Sequence, residues 1–223
     1  MNNEKKYDAI LLAGEGKSSY KVHHQNKAFL TINGACLIHY IVETLQKVES
    51  IQDIYVVGPK EKLQQALLSG RIHLKSPKRI HIVEQKTTLY QNIWHTFLQS
   101  LQDENAEAPN TKSHRDRTVL IVPCDAPLMT PQEVEYFISH ADMEKYDLVS
   151  GLVSREKLQH FYPQKKTLGI KMAYIHFKEA SFRINNLHMV KPLCIENREY
   201  IQKMYQYRYQ RNFKNLILFS LSL

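Results

Sequence analysis

Short apolar runs alternate with stretches in which apolar side chains recur every three or four residues, and this alternation constrains the fold more than any single motif. "YDAILLA" (7–13), "DIYVVG" (53–58), "RIHIVE" (79–84), "TVLIVPC" (118–124) and "DLVSGLVS" (147–154) read as strands. Between them, Leu37, Ile38, Ile41, Leu45 and Val48 mark one face of a helix, "KEKLQQALLS" reads as a second, and Leu89, Ile93, Phe97 and Leu101 mark a third. Thr130, Pro131 and Glu133 spell the start of a fourth, as N-cap, first-turn proline and capping-box partner. "TVLIVPC" is apolar on both faces, which predicts a central strand of a parallel sheet. The rhythm then changes, and "GIKMAYIHFKEASFRINNLHMVKP" predicts two antiparallel strands around "FKEAS". The expected architecture is α/β, a three-layer sandwich with a mostly parallel, Rossmann-like sheet and a late antiparallel hairpin. At 223 residues, the chain from 1 to 223 is expected to form one domain. "DENAEAPNTKSHRDR" (103–117) has no period and is expected to be an exposed, mobile loop. The tail from about 205, ending "LILFSLSL", reads as an element cut short.

Composition narrows the class of function. The net charge is +8, but Lys and Arg are scattered rather than massed on one expected helix. That distribution argues for solubility and an anionic small-molecule site over nucleic acid. No apolar run reaches the ~18 residues needed to span a bilayer, and "MNNEKKYDA" lacks a signal-peptide core, so a cytoplasmic protein is expected. Cys36, Cys124 and Cys194 are far apart and without zinc spacing, and read as free thiols.

The first strand runs into "LLAGEGKSSYKVHHQNKAFLTINGACLIHYIVETL". A P-loop needs another Gly five positions before Gly16, where Leu11 stands, and a helix directly after Gly16-Lys17-Ser18, where no helical spacing follows. A dinucleotide fingerprint needs a third Gly where Ser19 stands. A third reading is a long polar strand-to-helix loop in which backbone N–H groups wrap a nucleotide and Lys27 neutralises charge. The Asn33-Gly34 turn then leads into the first helix.

Ligands of open parallel sheets bind past the carboxyl ends of the strands. Asp125 lies there, flanked by Pro123 and Pro127. A carboxylate so held suits Mg²⁺ bridging nucleotide phosphates; an Asp opening a turn before a helix reads equally well.

Together "AILLAGEG", "NKAFLTINGACLIHYIVETL", "VLIVPCDAPLMTPQEV" and "FRINNLHMVKP" resemble the MobA-like nucleotidyltransferase family, in a variant whose signature loop reads L-A-G-E, over residues 7 to 193. The resemblance implies an NMP transfer from an NTP to a small phosphorylated acceptor, with Mg²⁺ as cofactor and release of pyrophosphate. It places Leu12, Ala13, Gly14, Glu15 and Gly16 along the nucleotide. It makes Lys27 the phosphate-stabilising cation, Asp125 the catalytic metal ligand and Asn186 a second metal ligand or phosphate contact. In relatives the segment before the third helix meets base and ribose, which makes Thr88 and Asn92 candidates; helix capping by Thr87 or Thr88 is the competing reading. Lys27 also reads as a solvated loop lysine, and Asn185-Asn186 as a strand-end pair.

Three departures stand out. Glu15 replaces the second Gly of the signature, Cys36 the Pro of the Gly-x-Pro turn, and no Arg stands near Ser19, where Lys17 and Lys21 are the nearest cations. Two readings of function follow: an active nucleotidyltransferase, or a degenerate relative that binds a nucleotide or sugar nucleotide without turning it over. A glycosyltransferase would want Asp-x-Asp where Asp125-Ala126-Pro127 stands.

Overall fold

The structure, a computed structural model, describes residues 5–15, 25–68, 78–101, 113–164, 168–170, 172–198 and 200–201. Its strands are β1 (Tyr7–Leu12), β2 (Thr31–Ile32), β3 (Ala35–Cys36), β4 (Ile51–Gly58), β5 (Ile80–Glu84), β6 (Val119–Pro123), β7 (Leu148–Ser154), β8 (Ile175–His176) and β9 (Ser181–Val190). The helices are α1 (Leu37–Lys47), α2 (Lys60–Leu68), α3 (Leu89–Ser100), α4 (Pro131–His140) and a single turn, α5 (Arg155–Leu158). The strands and helices expected from the alternation form within a residue or two of their expected spans, but the first strand of the late hairpin is reduced to Ile175–His176.

The main sheet runs β5-β4-β1-β6-β9-β7, with β8 paired to β9. The pairs β5–β4, β4–β1 and β1–β6 are parallel, whereas β9 is antiparallel to both β6 and β7. β6 is therefore central, as its apolar faces predict, but parallel to a neighbour on one side only. The late strand inserts between β6 and β7 instead of following the parallel set at its edge.

Alternation along each strand sorts the core into two layers. Ala9, Leu11, Ile54, Val56, Leu120, Val122, Leu187 and Met189 pack with Ile38, Ile41 and Leu45 of α1, Leu63 of α2 and Val134 of α4. Ile10, Tyr55, Val57, Val119, Ile121 and Val190 face the fully buried Phe97 of α3. Helices on both faces complete the three-layer sandwich. Thr130 caps α4 by accepting from the Glu133 N–H, with Pro131 next. Asn33 (φ 50°) and Gly34 (φ 81°) turn β2 into β3, both left-handed as a tight hairpin turn demands.

The expected loop over 103–117 lies outside the described residues as far as 112. Its last residues form a turn closed by the Arg117 N–H donating to the His114 carbonyl. The reason is an ion pair: Arg117 Nη2 lies 2.7 Å from Asp8 Oδ2, whose side chain is buried under the sheet. The tail from 205 lies outside the described residues. Among the described residues no helix is long and apolar enough to cross a membrane.

Candidate active site

β1 and β6 are adjacent and parallel, so the loops leaving their carboxyl ends start side by side. The Cys124 N–H donates to the Leu12 carbonyl at 3.2 Å, extending the ladder one step into the site. Leu12, Ala13, Gly14 and Glu15 lie here as expected; Gly16 falls outside the described residues.

The backbone of this loop is bound to the fold more than a nucleotide-wrapping loop was expected to be. The Ala13 N–H donates to the Val57 carbonyl at 2.8 Å, and the Glu15 N–H to Gln85 Oε1 at 2.6 Å. Gln85 Nε2 returns a bond to the Glu15 carbonyl at 3.3 Å, so one side-chain amide clamps both polar groups of that peptide stretch. The Ala13 N–H, which the resemblance sets against the nucleotide, is thus held by strand β4, and the Glu15 N–H by Gln85. Gly14 passes close over the buried Asn92: a Cβ there would meet Asn92 Nδ2 at 3.1 Å and Gln85 Oε1 at 3.3 Å. Asn92 is itself fixed, its Oδ1 accepting from the Lys86 N–H. Asn92 is therefore the floor beneath the loop.

Thr88 is drawn into capping. Its Oγ1 accepts from the Gln91 N–H at 3.1 Å while Gln91 Oε1 accepts from the Thr88 N–H at 3.2 Å, a complete capping box for α3. The helix-cap reading of Thr88 accounts for its hydroxyl.

Glu15 does not stand unpaired in the loop. Lys62 Nζ, from the first turn of α2, lies 2.9 and 3.1 Å from its two carboxylate oxygens. The acidic substitution in the signature is neutralised from a neighbouring helix.

Lys27 opens a 3₁₀ turn, Lys27–Phe29, capped by Asn26. Asn26 Oδ1 accepts from the Ala28 N–H at 2.9 Å, and Asn26 Nδ2 donates to the Ala13 carbonyl at 2.8 Å. This one side chain shapes the turn and ties it to the end of β1. The ammonium of Lys27 consequently reaches Asp125, with Nζ 2.8 Å from Oδ2 and both side chains about one-third exposed (35% and 34%). The two residues expected to be catalytic meet each other.

The Asp125 loop is anchored on its far side. The Met129 N–H donates to the Ala126 carbonyl, and the buried Thr44 hydroxyl of α1 donates to the Met129 carbonyl at 3.0 Å. Beside it, burial first and the Asp125 charge second push the Cys124 thiol up to about 12, so it stays a thiol and no nucleophile.

Asn186 lies on β9 in a left-handed conformation, φ 66°. Between the pairs Ser150↔His188 and Leu152↔Ile184, β9 carries two more residues than β7, and Asn186 stands in that bulge. The antiparallel register Ile121↔His188 puts it level with the carboxyl end of β6. Asn185 Oδ1 accepts from the Leu187 N–H, so Asn185 shapes the bulge. Among the described residues no hydrogen bond joins Asn186 to Asp125, and no group of three or more His, Cys, Asp or Glu side chains converges on one point. The donor set at this end of the sheet, one carboxylate and one carboxamide oxygen, is all hard oxygen. It suits an ion that keeps several waters and shares phosphate oxygens, as Mg²⁺ does.

Asn26, Gln85 and Lys62 were not anticipated. Asn26 carried a signal, an Asn directly before the lysine of interest, the position of a capping side chain. Gln85 follows the carboxyl end of a parallel strand, where polar residues line sites.

The chain matches the model of the MobA-like NTP transferase domain over residues 9–217 and belongs to that family. No curated protein gives a significant match to the sequence. Among solved structures, 4-diphosphocytidyl-2C-methyl-D-erythritol synthase from Anaerococcus prevotii superposes with TM-score 0.52 at 16% identity, covering 94% of this chain and 77% of that one. A hypothetical transferase from Thermus thermophilus gives 0.56 at 17% identity, covering 92% and 71%. CMP:2-keto-3-deoxy-manno-octonic acid synthetase complexed with CTP gives 0.52 at 12%, covering 93% and 86%. At these identities the likeness is one of fold: this sheet and its helices are those of nucleotidyltransferases.

Proposed function

We propose that the protein is a Mg²⁺-dependent nucleotidyltransferase, moving the NMP unit of an NTP to a small phosphorylated acceptor. The observation that carries this reading is the meeting of Lys27 and Asp125 at the carboxyl ends of β1 and β6. A phosphate oxygen of the acceptor attacks the α-phosphorus, the bond to the β-phosphate oxygen breaks, and pyrophosphate leaves. Such substitutions need positioning and charge neutralisation more than a general base. Lys27 supplies positive charge beside the phosphorus while negative charge shifts to the leaving group. Asp125 and Asn186 would hold Mg²⁺, which supplies electrostatic clamping of phosphate oxygens. The Lys27–Asp125 ion pair keeps the lysine pointed into the site before substrate arrives. Asn92 and Gln85 hold the Gly14–Glu15 backbone at the height a nucleotide would lie on.

The degenerate, binding-only reading draws on Ala13 and Glu15, whose N–H groups are taken by the fold. Lys62 removes the charge conflict at Glu15, while the missing Arg near Ser19 continues to favour this reading. Pyrophosphate release separates the two. CTP is the first NTP to try, given the CMP- and CDP-forming neighbours, followed by GTP, UTP and ATP, each with a panel of sugar and polyol phosphates. Mg²⁺-dependent release that disappears in Lys27→Ala supports the enzyme. Tight NTP binding without release for any acceptor supports the binding protein.

A further inference from the structure

β9 parts from β6 where it reaches the candidate site. Its pairing with β6 stops at Ile121↔His188, two residues short of the end of β6 at Pro123. Its pairing with β7 resumes further on, at Leu152↔Ile184. Between Ser150 and Leu152 β7 carries one residue, Gly151, and between Ile184 and His188 β9 carries three, 185–187. Bulges of this kind bend a strand and re-aim a side chain, and they are over-represented next to active sites.

Gly151 stands opposite the bulge for the room it leaves. Among the described glycines only Gly34 has a positive φ, so no left-handed backbone demands a glycine at 151. Space does. Gly151 is buried, and a Cβ there would overlap the Asn185 carboxamide, whose Oδ1, Nδ2 and Cγ are the atoms it would meet first.

The carboxamide that fills this room holds the bulge in shape. Asn185 Oδ1 accepts from the Leu187 N–H at 3.0 Å and so closes a turn around Asn186. Leu187 is fully buried and anchors one end of that turn; Ile184, in register with Leu152, anchors the other. Asn186 stands between them, exposed and left-handed at φ 66°. A residue other than Gly keeps such a conformation where its surroundings hold it there. Here the Asn185 bond holds it, and the missing side chain of Gly151 makes room for that bond.

We infer that Gly151 and Asn185 are positioning residues of the candidate active site: as a pair they set the bulge that presents Asn186 at the carboxyl end of β6. This deepens the proposed function and rests on it, since Asn186 is there an oxygen ligand of Mg²⁺ or a phosphate contact. Neither positioning residue needs to touch nucleotide or metal. Both act through Asn186.

The test titrates Mg²⁺ into the full chain at saturating CTP, and again at saturating GTP, following the melting temperature, with pyrophosphate release read alongside. Asn186→Gly is the reference variant, because glycine accepts φ 66° without strain while the carboxamide is lost. The Mg²⁺ concentration at half of the nucleotide-dependent rise should increase roughly tenfold or more in Asn186→Gly, and about 3- to 10-fold in Asn185→Ala and in Gly151→Ala. Asn185→Ser keeps an oxygen acceptor for the Leu187 N–H and should return to within about threefold of the wild type. In the Asn186→Gly background, Asn185→Ala and Gly151→Ala should add less than about twofold, because nothing is left for them to position. A merely structural role would lower the ligand-free melting temperature and leave the Mg²⁺ midpoint in place. A midpoint untouched by Asn186→Gly, or by either Asn185→Ala or Gly151→Ala, overturns the inference and leaves the proposed function standing, as do fully additive effects in the double variants. A wild type with no Mg²⁺-dependent rise overturns the proposed function and the inference with it. Should Asn185→Ala fail to fold, Gly151→Ala decides, since its methyl displaces only the end of a side chain.

Discussion

Lys27 and Asp125, separated by 98 positions in the chain, hold each other at 2.8 Å across the mouth of the sheet. Neither contributes much to the core, because each side chain is about one-third exposed and such pairs are worth roughly 0–1 kcal/mol. Function and stability should therefore separate. Asp125→Asn is expected to remove Mg²⁺-dependent stabilisation by NTP while the ligand-free melting temperature moves by only a degree or two. Lys27→Ala should lower turnover about 10²- to 10³-fold, the usual effect of losing one oxyanion-stabilising donor. Calorimetry and pyrophosphate release measure both; a variant that unfolds would make the pair structural.

Gly14→Ala tests the floor beneath the loop. The new methyl presses on Asn92 and Gln85, which must yield by a few tenths of an ångström. The expected stability cost is about 1–3 kcal/mol, as for overpacking elsewhere, together with a larger loss of nucleotide affinity. Unchanged affinity in a folded variant would show that the height of Gly14 above Asn92 does not shape the site.

The Glu15–Lys62 pair makes a prediction about sign. Lys62→Ala leaves an uncompensated carboxylate beside the nucleotide loop, and the NTP Michaelis constant should rise by about threefold to fivefold, the range of an exposed ion pair. Glu15→Gln added to Lys62→Ala should restore it. A double-mutant cycle with no coupling would dismiss the compensation.

Arg117→Ala should be far more costly than any surface charge change. It strands Asp8, 2% exposed, without its counterion. Breaking a buried pair from one side costs about 3–5 kcal/mol, and chemical denaturation would measure it. Asp8→Asn combined with Arg117→Gln should recover most of the loss.

His188 gives a pH dependence. It is half-buried on β9, and its Nδ1 lies 2.8 Å from the Ser150 hydroxyl. Burial holds its pKa below the ordinary 6.5. The unfolded chain then binds the proton more readily than the native one, so stability is full above about 6.5 and falls as pH drops through and below that value. His188→Gln should flatten that slope between pH 7 and 5; an identical slope would assign the acid sensitivity to other groups.

The strand and helix identities were legible because their signals are local: apolar runs, helical spacing, and the Thr130-Pro131 start. The insertion of β9 between β6 and β7 was not, since no local pattern records which strand a ten-residue run will pair with. At the site, Lys27 and Asp125 were legible from the segments around them. Their contact was not, and neither were the residues that arrange it. Asn26 acts on Ala13 across 13 positions, Lys62 on Glu15 across 47 and Gln85 on Glu15 across 70. Thr88 shows the opposite case, a local capping signal strong enough to compete with the functional reading and account for its hydroxyl.

The placement of β9 also orders the birth of the molecule. As the chain emerges during synthesis, residues 7–123 can pair β1, β4, β5 and β6, because all of those partners are already made. β7 follows with no neighbour, and the open edge of β6 waits beside it. Only when 181–190 appear do both edges close at once. A nascent or cleaved chain ending before that segment presents two unpaired strand edges, the surfaces by which incomplete sheets aggregate. The cell's quality control would therefore meet this protein at β9, the last strand among the described residues.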